Sequence, residues 1–245
     1  MGIRKTLIEG GEYYHFYNRG NSKQDIFLDD KDYDRFAKLL FLCNSNKNIN
    51  FRTDIVEKGI DAWDFDRGEP LISICAWVLM PNHFHLYVKI PEARLLENNS
   101  IKNAATLFML KISTAYAKYF NIKHERTGSL FEGKFKSVHI ASDVQARYLF
   151  SYIHLNPIKL IQPNWKEQGI ADQKAAFEHA KNYKYSSFGD WLGSDRKESV
   201  ILNKKELVNI LPENFSPRDD VFEWLHQSEL KKELPLSKAS GKKDV

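Results

Sequence analysis

His83 and His85, one residue apart in MPNHFHLYVK at residues 80–89, can do metal chemistry if their surroundings allow it. On an extended chain alternate side chains share a face, so the two imidazoles project together and Tyr87 and Lys89 continue their row. Phe84, Leu86, Val88 and Ile90 make the opposite face wholly apolar and suited to packing against helices. Two neighbouring imidazoles can ligate one metal ion. A lone H-x-H is more often a pair of partly exposed sheet histidines, so a third ligand is required.

The second group lies between Asp143 and Asn156, in DVQARYLFSYIHLN. Tyr152 and Asn156 are four apart, which puts them on one helix face a turn from each other. The Asn156 carbonyl is a suitable third ligand for a hard divalent ion such as Mg²⁺ or Mn²⁺ beside two imidazoles. A tyrosine beside that ion is favoured as phenolate and can attack phosphorus. A Tyr and an Asn on a helix ordinarily mean packing; only docking against His83 and His85 would make a site. His154, two positions from each, should face elsewhere.

The elements that must position these groups follow from pattern. EYYHFYNRGN, residues 12–21, alternates as a first strand and ends at a turn at Arg19-Gly20-Asn21. DKDYDRFAKLLFLC, from Asp30, is a helix with Phe36, Leu39, Leu40 and Cys43 on one face. Residues 45–70 are polar and predict an insertion or irregular hairpin. LISICAWVLM is an apolar strand joined through Pro81-Asn82 to the histidine strand, so the two are antiparallel. Ser100 is placed to cap a helix reaching about Phe120, with Ala104, Leu107, Phe108, Ile112, Ala115 and Tyr119 as its apolar stripe.

HERTGSLFEGKFKSVHI breaks the helical period and predicts a basic loop and strand. Asp143 then caps the tyrosine helix, which Pro157 ends. The order predicts an α+β fold: a ferredoxin-like antiparallel sheet with helices on one face, plus a small helical C-terminal extension. The expected organisation is a domain over residues 1–194, an extension of two short helices over 195–234, and a disordered tail over 235–245.

LMPNHFHLYVK, GSLFEGKFKS, YIHLNPIK and YKYSSFGDWL, in this order between about Tyr13 and Leu192, resemble the successive blocks of the single-tyrosine HUH transposases. The subgroup most similar is the one associated with repetitive extragenic palindromes. The resemblance implies a ferredoxin-like domain with one divalent metal, Mg²⁺ or Mn²⁺, between His83, His85 and Asn156, and Tyr152 as the nucleophile. It implies cleavage and rejoining of single-stranded hairpin DNA through a 5′-phosphotyrosine, by a monomer or a homodimer. Relatives often carry His at the position of Ser129 and Arg at that of Lys134; lysine keeps the charge and loses the bidentate phosphate fork. The alternative is a non-catalytic hairpin DNA-binding protein derived from a transposase. A histidine-triad nucleotide hydrolase needs H-x-H-x-H, and Tyr87 stands at the third position.

Charge agrees with a nucleic-acid partner. The 245 residues carry a net +4, while Lys102–His139 alone carries +5, from seven basic and two acidic residues. Aromatic residues interleave with these bases. Lys111, Arg126, Lys134 and Lys136 are therefore expected to meet DNA phosphates, with Phe131 or Phe135 stacking on a base. The competing reading is a solvated helix face with core aromatics. No run of eighteen apolar residues predicts a membrane span. Gly2 and Thr6 fit only the loose myristoylation pattern. Cys43 and Cys75 make neither a thiolate zinc site nor a disulfide framework, and a reducing cytoplasm fits, with association to the nucleoid during action.

Overall fold

The computed structural model describes residues 7–92 and 101–226, with side chains described over 104–225 in the second span. Four strands, β1 (Tyr13–Arg19), β2 (Ser73–Met80), β3 (His83–Lys89) and β4 (Lys136–Ile140), form one sheet in the order β2-β3-β1-β4. Every neighbouring pair is antiparallel. Helix α1 (Asp30–Leu42) follows β1 and α2 (Ile101–Lys123) follows β3, which is the expected ferredoxin-like α+β order.

Alternation sorts the strands into two faces. Tyr14, Phe16, Trp77, Leu79, Phe84, Leu86 and Val88 bury against α1 and α2. Tyr13, Val78, Met80, Tyr87 and Ile140 bury on the other side, beneath α3 (Asp143–Leu155), which contributes Ala146, Leu149, Phe150 and Ile153. The expectation of helices on one face thus describes α1 and α2, while α3 crosses the opposite face and makes the sheet two-sided. That placement lets a helix meet the histidine face of β3.

Asp29 caps α1 by accepting from the Asp32 amide, while several other local expectations change. Ser142, not Asp143, caps α3, because its hydroxyl accepts from the Gln145 amide while Asp143 is already helical. Leu107 is 39% exposed; the buried face of α2 runs instead through Ala104, Ala105, Phe108, Met109, Ile112, Tyr116 and Phe120. Ser100 lies outside the described residues. Residues 45–70 hold short helical turns at Phe51–Val56 and Ala62–Asp64 in place of a hairpin.

The edge strand β2 is apolar on both faces and its outer edge is covered. Leu79 N donates to Tyr185 O at 2.9 Å, Ser187 N to Trp77 O at 2.9 Å, and Asn203 N to Ile74 O at 2.8 Å. The YKYSSFGDWL block therefore satisfies an edge that would otherwise offer unpaired amides. After α3 come α4 (Trp165–Gln168), α5 (Gln173–Asn182), α6 (Phe188–Trp191), α7 (Lys204–Val208) and α8 (Pro217–His226). Ile201 joins the core under α1 and α2, and Leu207, Leu211, Val221 and Leu225 join the core under α3. The tail over 235–245 lies outside the described residues.

Candidate active site

The two-residue turn at Pro81-Asn82 sets the phase of β3, so that His83 and His85 point toward α3. His83 lies opposite Arg19, and His85 opposite Tyr17 on one side and Val78 on the other. The imidazole centroids are 5.0 Å apart and nearly perpendicular. Asn82 Nδ2 donates to Lys23 O at 3.1 Å, which orients its amide. His83 Nδ1–H then donates to Asn82 Oδ1 at 2.6 Å and leaves Nε2 with its lone pair.

His85 is 6% exposed. Its Nδ1 is 2.8 Å from Nε2 of His15, which projects from β1 on the same face, and the two rings stack. When His85 Nδ1 carries the shared proton, it donates to His15 and its Nε2 is also available. A partner on the second ring nitrogen is the usual means of fixing the tautomer of a metal-ligating histidine.

Helix α3 supplies the other half. The Tyr152 ring centroid is 5.3 Å from that of His85 and 6.1 Å from that of His15. Asn156 is the C-cap of α3 and is buried. Its Nδ2 donates to Tyr152 O at 2.8 Å, and its Oδ1 accepts from Lys159 Nζ at 3.3 Å with one lone pair left over. The Asn156 side chain interacts with both neighbours, favouring the charged form of His83 and of Tyr152 alike. The structure therefore brings His83, His85, Tyr152 and Asn156 together across β3 and α3. His154 points away: it is buried and its Nε2 is 2.9 Å from Ser187 Oγ.

Electrostatics favours neutral ligands here. Burial lowers His83 to about 4, with Lys159 and Arg19 adding to the effect and Asn156 opposing it. Burial also takes His85 well below its ordinary value, helped by His15 and His83. His15 falls to about 3 by burial. Deprotonated imidazoles are what a metal needs. Burial pushes the Tyr152 phenol up to about 12, with Tyr148 adding and Asn156 opposing. At neutral pH the hydroxyl is therefore protonated.

Two imidazole nitrogens and one amide oxygen form a donor set that fits a divalent ion with positions left for water or phosphate. Among the described residues no three His, Cys, Asp or Glu side chains form such a group; here the third donor is an amide.

The basic window divides. Lys136 is opposite Tyr17 and shares the site's face, and both it and Lys134 are exposed. Lys111 lies on α2, beyond the other face of the sheet, and donates to Ser45 O at 2.8 Å and Lys47 O at 2.7 Å, holding the insertion. Arg126 covers the Phe120 ring at 5.6 Å. Phe131 is 7% exposed and packs edge-on to Phe84, so it is a core residue in place of the expected stacking platform. Phe135 is half-buried and meets Phe16 edge-on at 4.9 Å.

Sequence reasoning missed His15, Tyr17, Lys159 and Lys166. The first two share the alternating row of β1, a signal of the same kind as H-x-H. Lys159 stands three residues after Asn156, and Lys166 Nζ is 4.6 Å from the Tyr152 ring centroid.

A solved structure described as a REP-associated tyrosine transposase bound to a REP hairpin is similar to this chain, with a TM-score of 0.46 and 12% identity over 88% of this chain and 92% of that one. No family model and no curated protein matches the sequence. No helix among the described residues is long and apolar enough to cross a membrane.

Proposed function

We propose that this protein is a DNA strand-transfer enzyme of the single-tyrosine type, cutting and rejoining single-stranded hairpin DNA in the mobilisation of palindromic repeats. The observation that carries this reading is the convergence of Tyr152 with His83, His85 and Asn156, from two elements seventy residues apart in the chain. His83 and His85 through Nε2, and Asn156 through Oδ1, would hold a divalent ion such as Mg²⁺ or Mn²⁺. That ion would supply Lewis-acid neutralisation of a phosphate oxygen.

In this reading Tyr152 Oη attacks the scissile phosphorus and gives up its proton to solvent. The Oη–P bond forms, the P–O3′ bond breaks, and the electron pair leaves on the 3′ oxygen, which takes a proton. The 5′-phosphotyrosine preserves the bond energy, so a 3′-hydroxyl can reverse the exchange without a nucleotide cofactor. Asn156 holds the hydroxyl by its interaction with Tyr152, and Asn82 and His15 hold the two imidazoles in place.

The test is incubation with 5′- and 3′-labelled single-stranded hairpin DNA and Mg²⁺ or Mn²⁺. A denaturant-stable adduct carrying the 5′ end of the downstream fragment is expected. Tight hairpin binding with no adduct under any divalent ion would leave a non-catalytic binding protein.

A further inference from the structure

Pro157 ends α3 and the chain continues as a 3₁₀ turn, Asn156–Leu160. Side chains three apart in such a turn eclipse one another, so Lys159 is carried back over Asn156. Its Nζ donates to Asn156 Oδ1 at 3.3 Å and stands 5.9 Å from the Tyr152 ring centroid. The side chain is half-buried, and among the described residues no carboxylate lies within ion-pair distance of Lys159; Glu167 is the acid whose charge reaches it from farther off. A partly desolvated ammonium held by one amide oxygen is costly unless an anion completes it. An amide oxygen has two lone pairs, so Asn156 Oδ1 can accept from Lys159 and still face a metal.

We propose that Lys159 is a catalytic cation of this centre, receiving a non-bridging oxygen of the scissile phosphate next to the metal ligands. The proposal rests on the reading of the site as a phosphoryl-transfer centre. Lys159 exchanges no proton and forms no bond; it neutralises charge that grows on phosphorus oxygens as Tyr152 adds. The bland alternative is a lysine that merely complements the C-terminal end of α3.

The two roles diverge in metal binding. Without DNA, an ammonium beside the ligands repels a divalent ion, whereas with DNA both cations face one phosphate. Lys159→Met should therefore tighten Mn²⁺ binding, read by calorimetry or electron paramagnetic resonance, by about tenfold, an order set by like-charge repulsion at this range. The same variant should slow adduct formation by about a hundredfold, the usual cost of one lost transition-state donor. Lys159→Arg, which keeps the charge, should recover most of the rate.

An adduct rate within threefold of the parent in Lys159→Met, or Mn²⁺ binding weaker than the parent's, would overturn the proposal. Lys159→Gln keeps a donor to Asn156 without the charge; parental rate in that variant would also overturn it, and serves if Lys159→Met does not fold. A parent protein that takes up no Mn²⁺ and forms no adduct would bring down the reading of the whole site, a result separable from the failure of Lys159 alone.

Discussion

Tyr152 is the residue on which the proposed chemistry turns. Tyr152→Phe removes only the attacking oxygen, so covalent attachment should vanish while hairpin affinity stays within about threefold, a change under 1 kcal/mol. An adduct that survives this substitution would move the nucleophile to another residue. His83→Ala should abolish Mn²⁺ uptake and adduct formation together.

The buried imidazoles also set a pH dependence. His15, His83, His85 and His154 are held below their ordinary values by burial, to about 3 for His15, about 4 for His83 and about 3 for His154. Each is neutral in the folded chain, while in the unfolded chain it takes up a proton as pH falls past about 6.5. The unfolded state then binds more protons, so stability is full above that pH and is lost as pH falls toward the folded values. The thermal midpoint should drop steadily from pH 7 to pH 5, before most carboxylates titrate. A flat midpoint over that range would contradict the burial of these rings.

At the scale of elements, β4 and α2 separate the two parts of the basic window. Lys136 stands on the site's face of the sheet and Lys134 is exposed two residues before it, whereas Lys111 is spent on backbone carbonyls of the insertion. The double variant Lys134→Ala, Lys136→Ala should bind hairpin DNA more weakly at low salt, with a slope against log salt shallower by roughly 0.7–0.9 per lost phosphate contact. Lys111→Ala should leave that slope unchanged and lower thermal stability by loosening residues 45–47. Equal slopes in all three proteins would mean that the DNA follows another track. The hairpin at Pro81-Asn82 matters at the same scale, since a one-residue slip in β3 would turn both imidazoles into the α1 and α2 core.

At the scale of the whole molecule, the sheet is covered on both faces and along the β2 edge, and the last described segments do part of that covering. Leu207 is fully buried in the core beneath α3. Leu207→Ala should therefore cost about 2–5 kcal/mol, the range for a buried leucine truncated to alanine. Denaturant titration would measure it, and a loss below about 0.5 kcal/mol would show that α7 is only loosely attached. Asp190 anchors the same region through Arg196 Nε at 2.7 Å and Ser199 Oγ at 2.8 Å, a buried carboxylate whose partners all lie within ten residues.

Much of this was legible before any coordinates. Period-two alternation assigned His83 and His85 to one face, and the four-residue spacing put Tyr152 and Asn156 on one side of a helix, because both periods are local backbone geometry. The split strand-helix order likewise follows from local pattern. What local pattern does not contain is which layer a helix joins. That α3 crosses the histidine face, that Phe131 is core, that Lys111 sits behind the sheet, and that His15 reaches the site were all decided by tertiary packing. The reason is physical: a side chain's row is set by its own strand or helix, but its neighbours are chosen by which apolar faces find each other across the chain.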